Sequence, residues 1–372
     1  MRILFINHEY PPIGGGAATI TRELFSRFEN SGANVHLLTG NLTVGNQNIT
    51  TVNTGRKRYS EGSIIEFLRF ILAGIFKLHQ IHKKYHPEIV VAFFTIPGGI
   101  LSLVNKLLFK TPYIVSVRGG DIPGFQLGNK YAKMQNRAKP FVKMVSHHAE
   151  KVHVNSRRLY DLALQNHVRD EKLIMIPNGI NIQNAEFRDN IPANKIKMLF
   201  SGRLSQQKNL AVFIRALSKI KKDFLFTIIG EGSEEQYLKN IVKALGMTEK
   251  IIFEKWKKRE ELRQIYKDFN IFVLPSLDEG MSNSALEAVE NQCALLSSAN
   301  AHLQWNDEDI MAHWVVREYT SEVAWQNTLE YIFDNSQSIN DTSKKMKQFI
   351  IDNNDWEILF DQYEKMLEQC VE

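Results

Sequence analysis

The chain has 372 residues, of which 44% are hydrophobic and 23% are charged. This composition is typical of a globular protein with enough chain for two domains, and it excludes a disordered polypeptide and a small disulfide scaffold. The formal net charge of +5 is unevenly placed: residues 1–177 hold 23 Lys/Arg against 11 Asp/Glu, whereas residues 178–372 hold 23 against 30. One half is therefore basic and the other acidic.

A basic half can indicate either nucleic acid or an anionic membrane as a partner. The sequence has no zinc-finger spacing and no aromatic motif of the kind that RNA-binding sheets use. We therefore predict no nucleic-acid partner and favour an anionic lipid surface.

Two cysteines, Cys293 and Cys370, stand far apart without metal-ligand spacing, which predicts free thiols and a reducing compartment. The N-terminal MRILFINHEYPP lacks the apolar core of a signal peptide. The longest uncharged stretch, Ile89–Asn105, is interrupted by Pro97 and is too short to cross a membrane as one helix. These features predict a cytoplasmic protein without membrane spans.

Short apolar runs alternate with amphipathic stretches along the first half, which predicts an α/β fold with a parallel sheet buried on both faces. Helical spacing of Ile20, Leu24 and Phe28 predicts a helix between the first two strands, ending at Gly32. The predicted strands of this half are Ile3–Ile6, Val35–Leu38, Ile89–Phe94, Tyr113–Val117, Lys151–Val154 and Leu173–Ile176.

The same alternation restarts in the second half, so we predict two doubly wound domains with a cleft between them. The predicted strands are Met198–Ser201, Phe224–Ile229, Ile251–Glu254, Ile271–Leu274 and Ala294–Ser297. The predicted organisation is an N-terminal domain (1–177), a polar linker (178–195), a C-terminal domain (196–352) and a final helix (353–372), with one apolar face formed by Trp356, Leu359, Phe360, Tyr363 and Leu367.

Ligands of such sheets bind beyond the carboxyl ends of the strands, so the loops that follow strands are the places to search. After the first strand comes Pro11-Pro12-Ile13-Gly14-Gly15-Gly16, in which Gly15 and Gly16 precede a helix. Glycines allow close backbone approach, and a helix start offers free N–H groups to an anion. A flexible turn is the alternative interpretation.

Arg203 and Lys208 lie after the first strand of the second domain, next to Gly202. An Arg fork and a Lys point charge can together neutralise a diphosphate. A solvated surface pair is the alternative.

A third loop carries Glu279 and leads through Gly280 and Met281 into a helix that contains Glu287, with Ser282 or Asn283 as its predicted N-cap. Carboxylates accept hydrogen bonds from vicinal hydroxyls, and the amides of a helix start can hold sugar or phosphate oxygens. A Glu near a helix N-terminus is also favourable for structural reasons alone.

Two further motifs are weak. Gly230-Glu231-Gly232 resembles half of a dinucleotide fingerprint, but the acidic residues around it would repel a pyrophosphate, which disfavours a nicotinamide enzyme. Asp307-Glu308-Asp309 matches a metal motif by letter only, so we predict no metal.

Taken together, these loops resemble those of retaining glycosyltransferases of family 4, which have the GT-B fold of two facing Rossmann-like domains with an interdomain cleft. The likeness extends over nearly the whole chain. It is carried by the early glycine loop, Ile176-Pro177-Asn178-Gly179-Ile180, Gly202-Arg203-Leu204 with Lys208-Asn209, Gly230-Glu231-Gly232, and the two glutamates Glu279 and Glu287.

The resemblance implies that Arg203 and Lys208 bind the donor diphosphate, that Glu279 holds hydroxyls of the transferred sugar, and that Glu287 holds the ribose. It implies that Gly15 and Gly16 close over the phosphates and that the final helix returns to the first domain. Gly202, Gly230, Gly280, Met281, Ser282 and Asn283 are the further donor-binding candidates. Neither a cofactor nor a metal is expected.

The sequence departs from the family in two loops. Many members have His-Gly-x-Asp where this chain has Arg118-Gly119-Gly120-Asp121, so Arg118 and Asp121 become candidates for binding an acceptor or a phosphate. The family's Gly-Gly loop after a late strand is replaced by Ser298-Ala299-Asn300-Ala301.

By resemblance, the expected function is transfer of a hexose or N-acetylhexosamine from a nucleotide sugar to a glycan or lipid-linked glycan in cell-envelope polysaccharide synthesis, lipopolysaccharide included. A UDP-sugar is the favoured donor, and a GDP-sugar is the alternative donor. A nucleotide-sugar epimerase and a noncatalytic nucleotide-sugar-binding partner are the alternatives. The region 61–86 combines apolar and basic residues and is either a core-facing helix or an interfacial one, which would hold the protein peripherally on the inner face of the plasma membrane.

Overall fold

A computed structural model describes residues 1–40, 46–55, 63–126, 129–183, 186–188 and 195–371. The chain forms two compact units. The first comprises Met1–Phe125, Lys130–Gly179 and Glu357–Glu372, and the second comprises Gln126–Asn129 and Ile180–Trp356. The chain changes units after Gly179, within the segment predicted as a linker; residues 184–185 and 189–194 of that segment lie outside the described residues.

Among the described residues, the first unit is built on a parallel sheet of seven strands. They are β1 (Arg2–Asn7), β2 (Asn34–Thr39), β3 (Ile49–Thr51), β4 (Ile89–Phe93), β5 (Tyr113–Ser116), β6 (Lys151–Val154) and β7 (Leu173–Met175), in the order β3-β2-β1-β4-β5-β6-β7. Its helices are α1 (Gly16–Asn30), α2 (Ile64–Tyr85), α3 (Ile100–Phe109), α4 (Asn129–His148) and α5 (Arg157–Gln165).

The second unit has a parallel sheet of six strands. They are β8 (Ile196–Ser201), β9 (Phe224–Ile229), β10 (Ile251–Glu254), β11 (Ile271–Leu274), β12 (Ala294–Ser298) and β13 (Val315–Val316), in the order β10-β9-β8-β11-β12-β13. Its helices are α6 (Leu210–Leu217), α7 (Glu235–Ala244), α8 (Arg259–Tyr266), α9 (Asn283–Glu290), α10 (Glu308–His313), α11 (Glu322–Asp334) and α12 (Ile339–Asn354).

Burial explains why the strands read as continuous apolar runs. Every residue of β4, β5 and β11 is buried, because helices cover both faces of a parallel sheet. The predicted α/β class with two doubly wound sheets is confirmed, and the strand predictions agree with the structure to within two residues at either end. Strands β3 and β13 were missed because runs of three and two residues show no periodicity.

The last helix, α13 (Trp356–Glu368), follows α12 directly. Residues Glu357–Glu372 belong to the first unit, where the Phe360 ring lies 4.8 Å from that of Phe28. The apolar face predicted from the sequence is present: Trp356, Leu359, Tyr363 and Leu367 are buried, and Phe360 is partly buried.

The second sheet has the strand order 3-2-1-4-5-6, and the first has the same order with a seventh strand added at its end. In both sheets the order of the parallel strands reverses between the first and fourth strands. Those pairs are β1 with β4 in the first unit and β8 with β11 in the second. Ligand sites of open α/β sheets lie at this point, outside the carboxyl ends of the two strands. No helix in the described ranges has the length and apolarity to span a bilayer.

Candidate functional site

The loops after β8 and β11 carry the two residues that the sequence singled out most strongly. Lys208 Nζ forms an ion pair with Glu279 Oε1, and only 16% and 12% of the two side chains are exposed. Because these loops follow the strands on either side of the reversal point, the pair stands where the fold places its ligands. The structure thus brings together two residues that are 71 positions apart.

Two hydrogen bonds between the two loops, one from the backbone and one from a side chain, hold the Lys208 loop in place. The Leu277 N–H donates to the Gln207 carbonyl over 2.8 Å, and Gln207 Nε2 donates to the Asp278 carbonyl over 2.8 Å. The Lys208 side chain runs past Gly202, where its Cε lies 3.9 Å from the position that a Cβ would take. These contacts hold the loop that carries Lys208 against the loop that carries Glu279.

Glu279 is oriented by the loop after β12, which the sequence analysis named only as a departure from the family, without a role for Asn300. The Glu279 N–H donates to the Asn300 carbonyl over 3.1 Å, and Asn300 Nδ2 donates to the Leu277 carbonyl and to Tyr319 Oη over 3.1 and 2.8 Å. The available signal was positional, since Asn300 follows the strand next to β11. The Asn300 side chain gives this loop a polar anchor that a Gly-Gly sequence would lack.

Helix α9 begins as the sequence predicted. Ser282 is its N-cap, and the Ser282 hydroxyl accepts from the Ala285 N–H over 3.3 Å. Met281 and Ser282 are buried, and Asn283 and Gly280 are partly exposed. The start of α9 therefore lies directly after the Glu279 loop, where its amides can serve as hydrogen-bond donors.

Glu287 lies on α9 with a buried carboxylate that forms an ion pair with Arg259 of α8 over 2.5 Å. Burial raises the pKa of Glu287, and the charge and hydrogen bond of Arg259 partly oppose this shift. Arg259 was not among the predicted site residues, because two residues 28 positions apart on different helices give no sequence signal of contact. The Glu287 carboxylate can accept a hydrogen bond from a hydroxyl, and the positive charge of Arg259 favours the ionised form of Glu287.

The other residues of this unit that were predicted to bind the donor lie outside the Lys208–Glu279 and Glu287–Arg259 ion pairs. Arg203 has an exposed side chain. A Cβ on Gly230 would stand 1.9 Å from the Gly202 carbonyl oxygen, and one on Gly232 would stand 2.2 Å from the Leu204 carbonyl oxygen. These glycines permit the loops after β8 and β9 to approach closely, so the structure gives Gly230 a packing role; donor binding by Gly230 stays a prediction.

The glycine loop of the first unit follows β1, at the reversal point of that sheet. Gly14 has a φ of +113°, and a Cβ there would stand 2.8 Å from the Cβ atoms of Glu9 and Ala18. The Gly15 N–H donates to Glu9 Oε2 over 3.2 Å, and α1 begins at Gly16. The buried Glu9 thus shapes the loop; its place directly after the strand was the overlooked signal. Donor contact by Gly15 and Gly16 stays a prediction.

Arg118 lies in the interior of the first unit. Its Nη1 donates to Asn178 Oδ1 over 3.0 Å, its guanidinium lies 5.0 Å from the centre of the Phe93 ring, and it interacts with the Tyr363 hydroxyl. Burial lowers the pKa of Arg118, which the neighbouring Tyr363 and Asp121 partly offset. These contacts connect the loop after β5 to α13.

Asp121 has its carboxylate occupied by backbone. Oδ2 accepts from the Thr95 N–H over 2.7 Å, and Oδ1 accepts from the N–H groups of Arg118 and Gly119 over 2.9 and 3.0 Å. Burial raises the pKa of Asp121, and these donors oppose the rise. Asp121 therefore ties the loops after β4 and β5 together, and binding of an acceptor or phosphate by Arg118 and Asp121 stays a prediction.

The acidic triplet is a helix cap. Asp307 Oδ1 accepts from the N–H groups of Asp309 and Ile310 at the start of α10. Among the residues that the structure describes, no three His, Cys, Asp or Glu side chains converge in a way that could hold a metal ion.

Family models account for both units of this chain. One described as Glycosyltransferase Family 4 matches residues 14–184, and one described as Glycosyl transferases group 1 matches residues 181–355. The two matches meet close to the change of unit and together extend over most of the chain. The chain belongs to glycosyltransferase family 4. This family 4 glycosyltransferase has the two Rossmann-like units of the GT-B fold.

Relatives and solved structures agree with this assignment. An uncharacterized glycosyltransferase of Methanocaldococcus jannaschii is 24% identical over 348 residues, 87% of each chain. The UDP-Gal:alpha-D-GlcNAc-diphosphoundecaprenol alpha-1,3-galactosyltransferase of Escherichia coli is 28% identical over 242 residues, 58% of this chain and 59% of that protein. Sucrose-phosphate synthase of Thermosynechococcus elongatus superposes with a TM-score of 0.82 at 18% identity, over 99% of this chain and 98% of that one, a likeness of fold.

Proposed function

We propose that this family 4 glycosyltransferase transfers a hexose or N-acetylhexosamine from a UDP-sugar, with a GDP-sugar as the less favoured donor, to a lipid-linked glycan of the cell envelope. The observation that carries the proposal is the Lys208–Glu279 ion pair at the reversal point of the second sheet. The similarity to a galactosyltransferase named for a diphosphoundecaprenol-linked acceptor supports the choice of acceptor.

In the proposed complex the donor diphosphate lies against Lys208 and the exposed Arg203, whose combined charge matches the two negative charges of the diphosphate. Drawing Lys208 toward phosphate frees the Glu279 carboxylate to accept hydrogen bonds from hydroxyls of the sugar. The Glu287 carboxylate accepts from the ribose hydroxyls, and the first amides of α9 donate to oxygens of the donor.

The reaction breaks the bond between the anomeric carbon and the diphosphate oxygen, and forms one from that carbon to the acceptor hydroxyl oxygen. Negative charge grows on the leaving diphosphate, and Lys208 and Arg203 stabilise it in the transition state. The acceptor attacks from the face that the diphosphate leaves, and its proton passes to a phosphate oxygen. The anomeric configuration is retained, and the two side-chain cations supply the positive charge, so the proposed reaction needs no metal.

Glu279 does not act as a nucleophile in this scheme. Retaining glycosidases use two carboxylates on opposite sides of the scissile bond. Here Glu279 and Glu287 stand eight residues apart on one loop and the helix that follows it, and Glu287 is paired with Arg259. Both carboxylates are therefore assigned to donor binding.

The test has two stages. Thermal-shift measurements with UDP-, GDP-, ADP- and CMP-sugars identify the donor, because a ligand at 100 times its dissociation constant stabilises by about 2.7 kcal/mol. Transfer of that sugar to undecaprenyl-diphosphate-linked acceptors is then followed by mass spectrometry with and without EDTA, and the anomeric configuration of the product is read by NMR.

We expect acceptor-dependent release of nucleoside diphosphate, retained configuration and no loss of activity in EDTA. Conversion of the donor to an epimer without acceptor would instead identify an epimerase. Donor binding without release of nucleoside diphosphate with any acceptor would identify a noncatalytic binding partner. We further propose that the protein works in the cytoplasm, at the inner face of the membrane that holds its acceptor.

A further inference from the structure

Helix α2 has an apolar face that the described residues leave exposed. Ile65, Leu68, Leu72 and Phe76 are 62%, 53%, 61% and 77% exposed, and Ile64 at the helix start is 60% exposed. With 3.6 residues per turn, positions 65, 68, 72 and 76 fall within about 80° of the helix circumference. They form one strip along the first three turns, which we call the α2 strip.

The opposite side of α2 already satisfies the packing needs of the first unit. Phe70, Gly74, Leu78 and Ile81 are buried there, and a Cβ on Gly74 would stand 2.5 Å from a methyl carbon of Leu101 on α3. Two apolar faces on one helix exceed what an ordinary surface helix shows. The α2 strip therefore has no role in the core of the described structure.

The charges on α2 favour an anionic occupant for this strip. The helix carries four cations, Arg69, Lys77, Lys83 and Lys84, and a single carboxylate, Glu66. Glu66 Oε2 accepts from the Ser63 N–H in the capping box that begins the helix, so this carboxylate serves the helix start. Lys83 and Lys84 stand in the last turn, and both are exposed.

We propose that the α2 strip inserts into the surface of an anionic phospholipid bilayer, with Arg69, Lys83 and Lys84 at the headgroups. Helices that lie in a membrane interface typically carry leucine, isoleucine and phenylalanine on one exposed face, with cations beside them. A second copy of the chain fits less well, because a two-fold contact would bring the same cationic helix against itself. This inference deepens the proposed function by naming the surface that reaches the acceptor's membrane.

Co-sedimentation with vesicles tests the proposal. We expect the full chain to sediment with phosphatidylcholine/phosphatidylglycerol vesicles at low salt and weakly with phosphatidylcholine alone. Leu72→Ser/Phe76→Ser should lower the partition coefficient by about tenfold or more, because two large apolar side chains no longer leave water. Lys83→Glu/Lys84→Glu should lower it by at least about tenfold, since each cation near an anionic surface contributes about a fivefold factor.

Matched controls lie on the second unit. Ile252 and Val323 are 42% and 62% exposed, so Ile252→Ser/Val323→Ser also replaces two exposed apolar side chains by serine, and Lys221→Glu/Lys243→Glu makes the same change of charge. Both control variants should bind vesicles as the unchanged chain does. Far-ultraviolet circular dichroism and thermal unfolding establish that all variants are folded.

A local probe gives an independent readout. With Cys370→Ser as background, the environment-sensitive fluorophore NBD attached at Phe76→Cys should shift to shorter wavelength on anionic vesicles, whereas NBD at Val323→Cys should not. Equal vesicle binding by Leu72→Ser/Phe76→Ser and its control, or no shift at position 76, would overturn the proposal. So would a dimer in sedimentation velocity that Leu72→Ser/Phe76→Ser dissociates while vesicles leave the chain unbound.

The outcome is separable from that of the proposed function. Nucleotide-sugar binding by thermal shift should be the same for Leu72→Ser/Phe76→Ser and for the unchanged chain. If a variant loses vesicle binding but still binds the donor, the substitution has affected the α2 strip alone. Vesicle binding by a chain that binds no nucleotide sugar would refute the proposed function alone.

Discussion

Lys208 carries most of the predicted chemistry and also part of the stability of its loop. Its ammonium is paired with Glu279 in a largely buried position, so its removal leaves a carboxylate without its counter-charge. The proposed reaction and the folded state therefore depend on the same side chain, and a test has to measure the two separately.

We predict that Lys208→Ala lowers kcat by about 10² to 10³, the size of effect seen when one preorganised charge-stabilising donor is lost. The same change should lower the free energy of unfolding by up to about 3 kcal/mol. The measurement is kcat at saturating donor, normalised to the folded fraction. Lys221→Ala, at an exposed position, is the control, and a kcat near that of the unchanged chain would remove Lys208 from the site.

Gly230 lies where the close approach of two loops leaves the least space for a side chain. Its φ is +150°, and a Cβ would stand 1.9 Å from the Gly202 carbonyl oxygen. Gly230→Ala should destabilise the second unit by about 3 kcal/mol or more, because backbone has to move. Gly246→Ala is the matched control: its φ of +67° costs about 1 kcal/mol, but nothing lies within 4 Å. Urea unfolding compares them, and equal losses would refute the steric explanation.

At the scale of elements, a neutral histidine on β6 connects β5, the residue that follows β7, and α13. His153 Nδ1 lies 2.6 Å from Ser116 Oγ of β5, and Nε2 lies 2.9 Å from the Ile176 carbonyl oxygen and 3.3 Å from Tyr363 Oη of α13. Burial, together with the nearby Arg118 charge, lowers the pKa of His153 to about 3.

This neutral histidine predicts a pH dependence. Below its unfolded pKa of about 6.5 the unfolded chain takes up a proton that the fold excludes until about pH 3, so stability falls as the pH falls through this range, by up to about 1.4 kcal/mol per unit. His153→Gln should flatten this part of the curve, whereas His167→Gln, at an exposed position, should not. Urea unfolding from pH 4 to 7 is the measurement, and an unchanged slope in His153→Gln would contradict it.

At the scale of the whole molecule, the chain starts and ends in the same unit. Residues Glu357–Glu372 return to the first unit, where Leu359, Tyr363, Met366 and Leu367 are buried. Each such side chain contributes about 1.5–3 kcal/mol on burial, and a domain has only about 5–15 kcal/mol of net stability. The first unit should therefore depend on the end of the chain.

Deleting residues 357–372 should unfold the first unit and leave the second folded. Hydrogen exchange read on peptides is the measurement: protection should be lost in β1, β4 and β5 and kept in β8 and β11. Deletion of residues 369–372 alone is the control, because it leaves α13 complete. Full protection of β1 in the longer deletion would show that the first unit is stable without its final helix.

The sequence by itself determined the fold class, nearly all the strands, the approximate start of α9 and the family. Each of these depends on local patterns: apolar runs mark strands buried on both faces, and short motifs mark the loops that follow them. Such patterns involve residues that are close in sequence, so they can be recognised without knowing which residues are in contact.

Only the tertiary structure decided which of these residues meet. It paired Lys208 with Glu279 and Glu287 with Arg259, gave Asn300 and Glu9 their supporting positions, bonded Arg118 to Asn178 and Asp121 to backbone N–H groups, and left one side of α2 exposed. The physical reason is that an ion pair or a buried contact depends on distance in space. A periodic apolar pattern likewise shows that a helix has an apolar face but not whether the fold covers it.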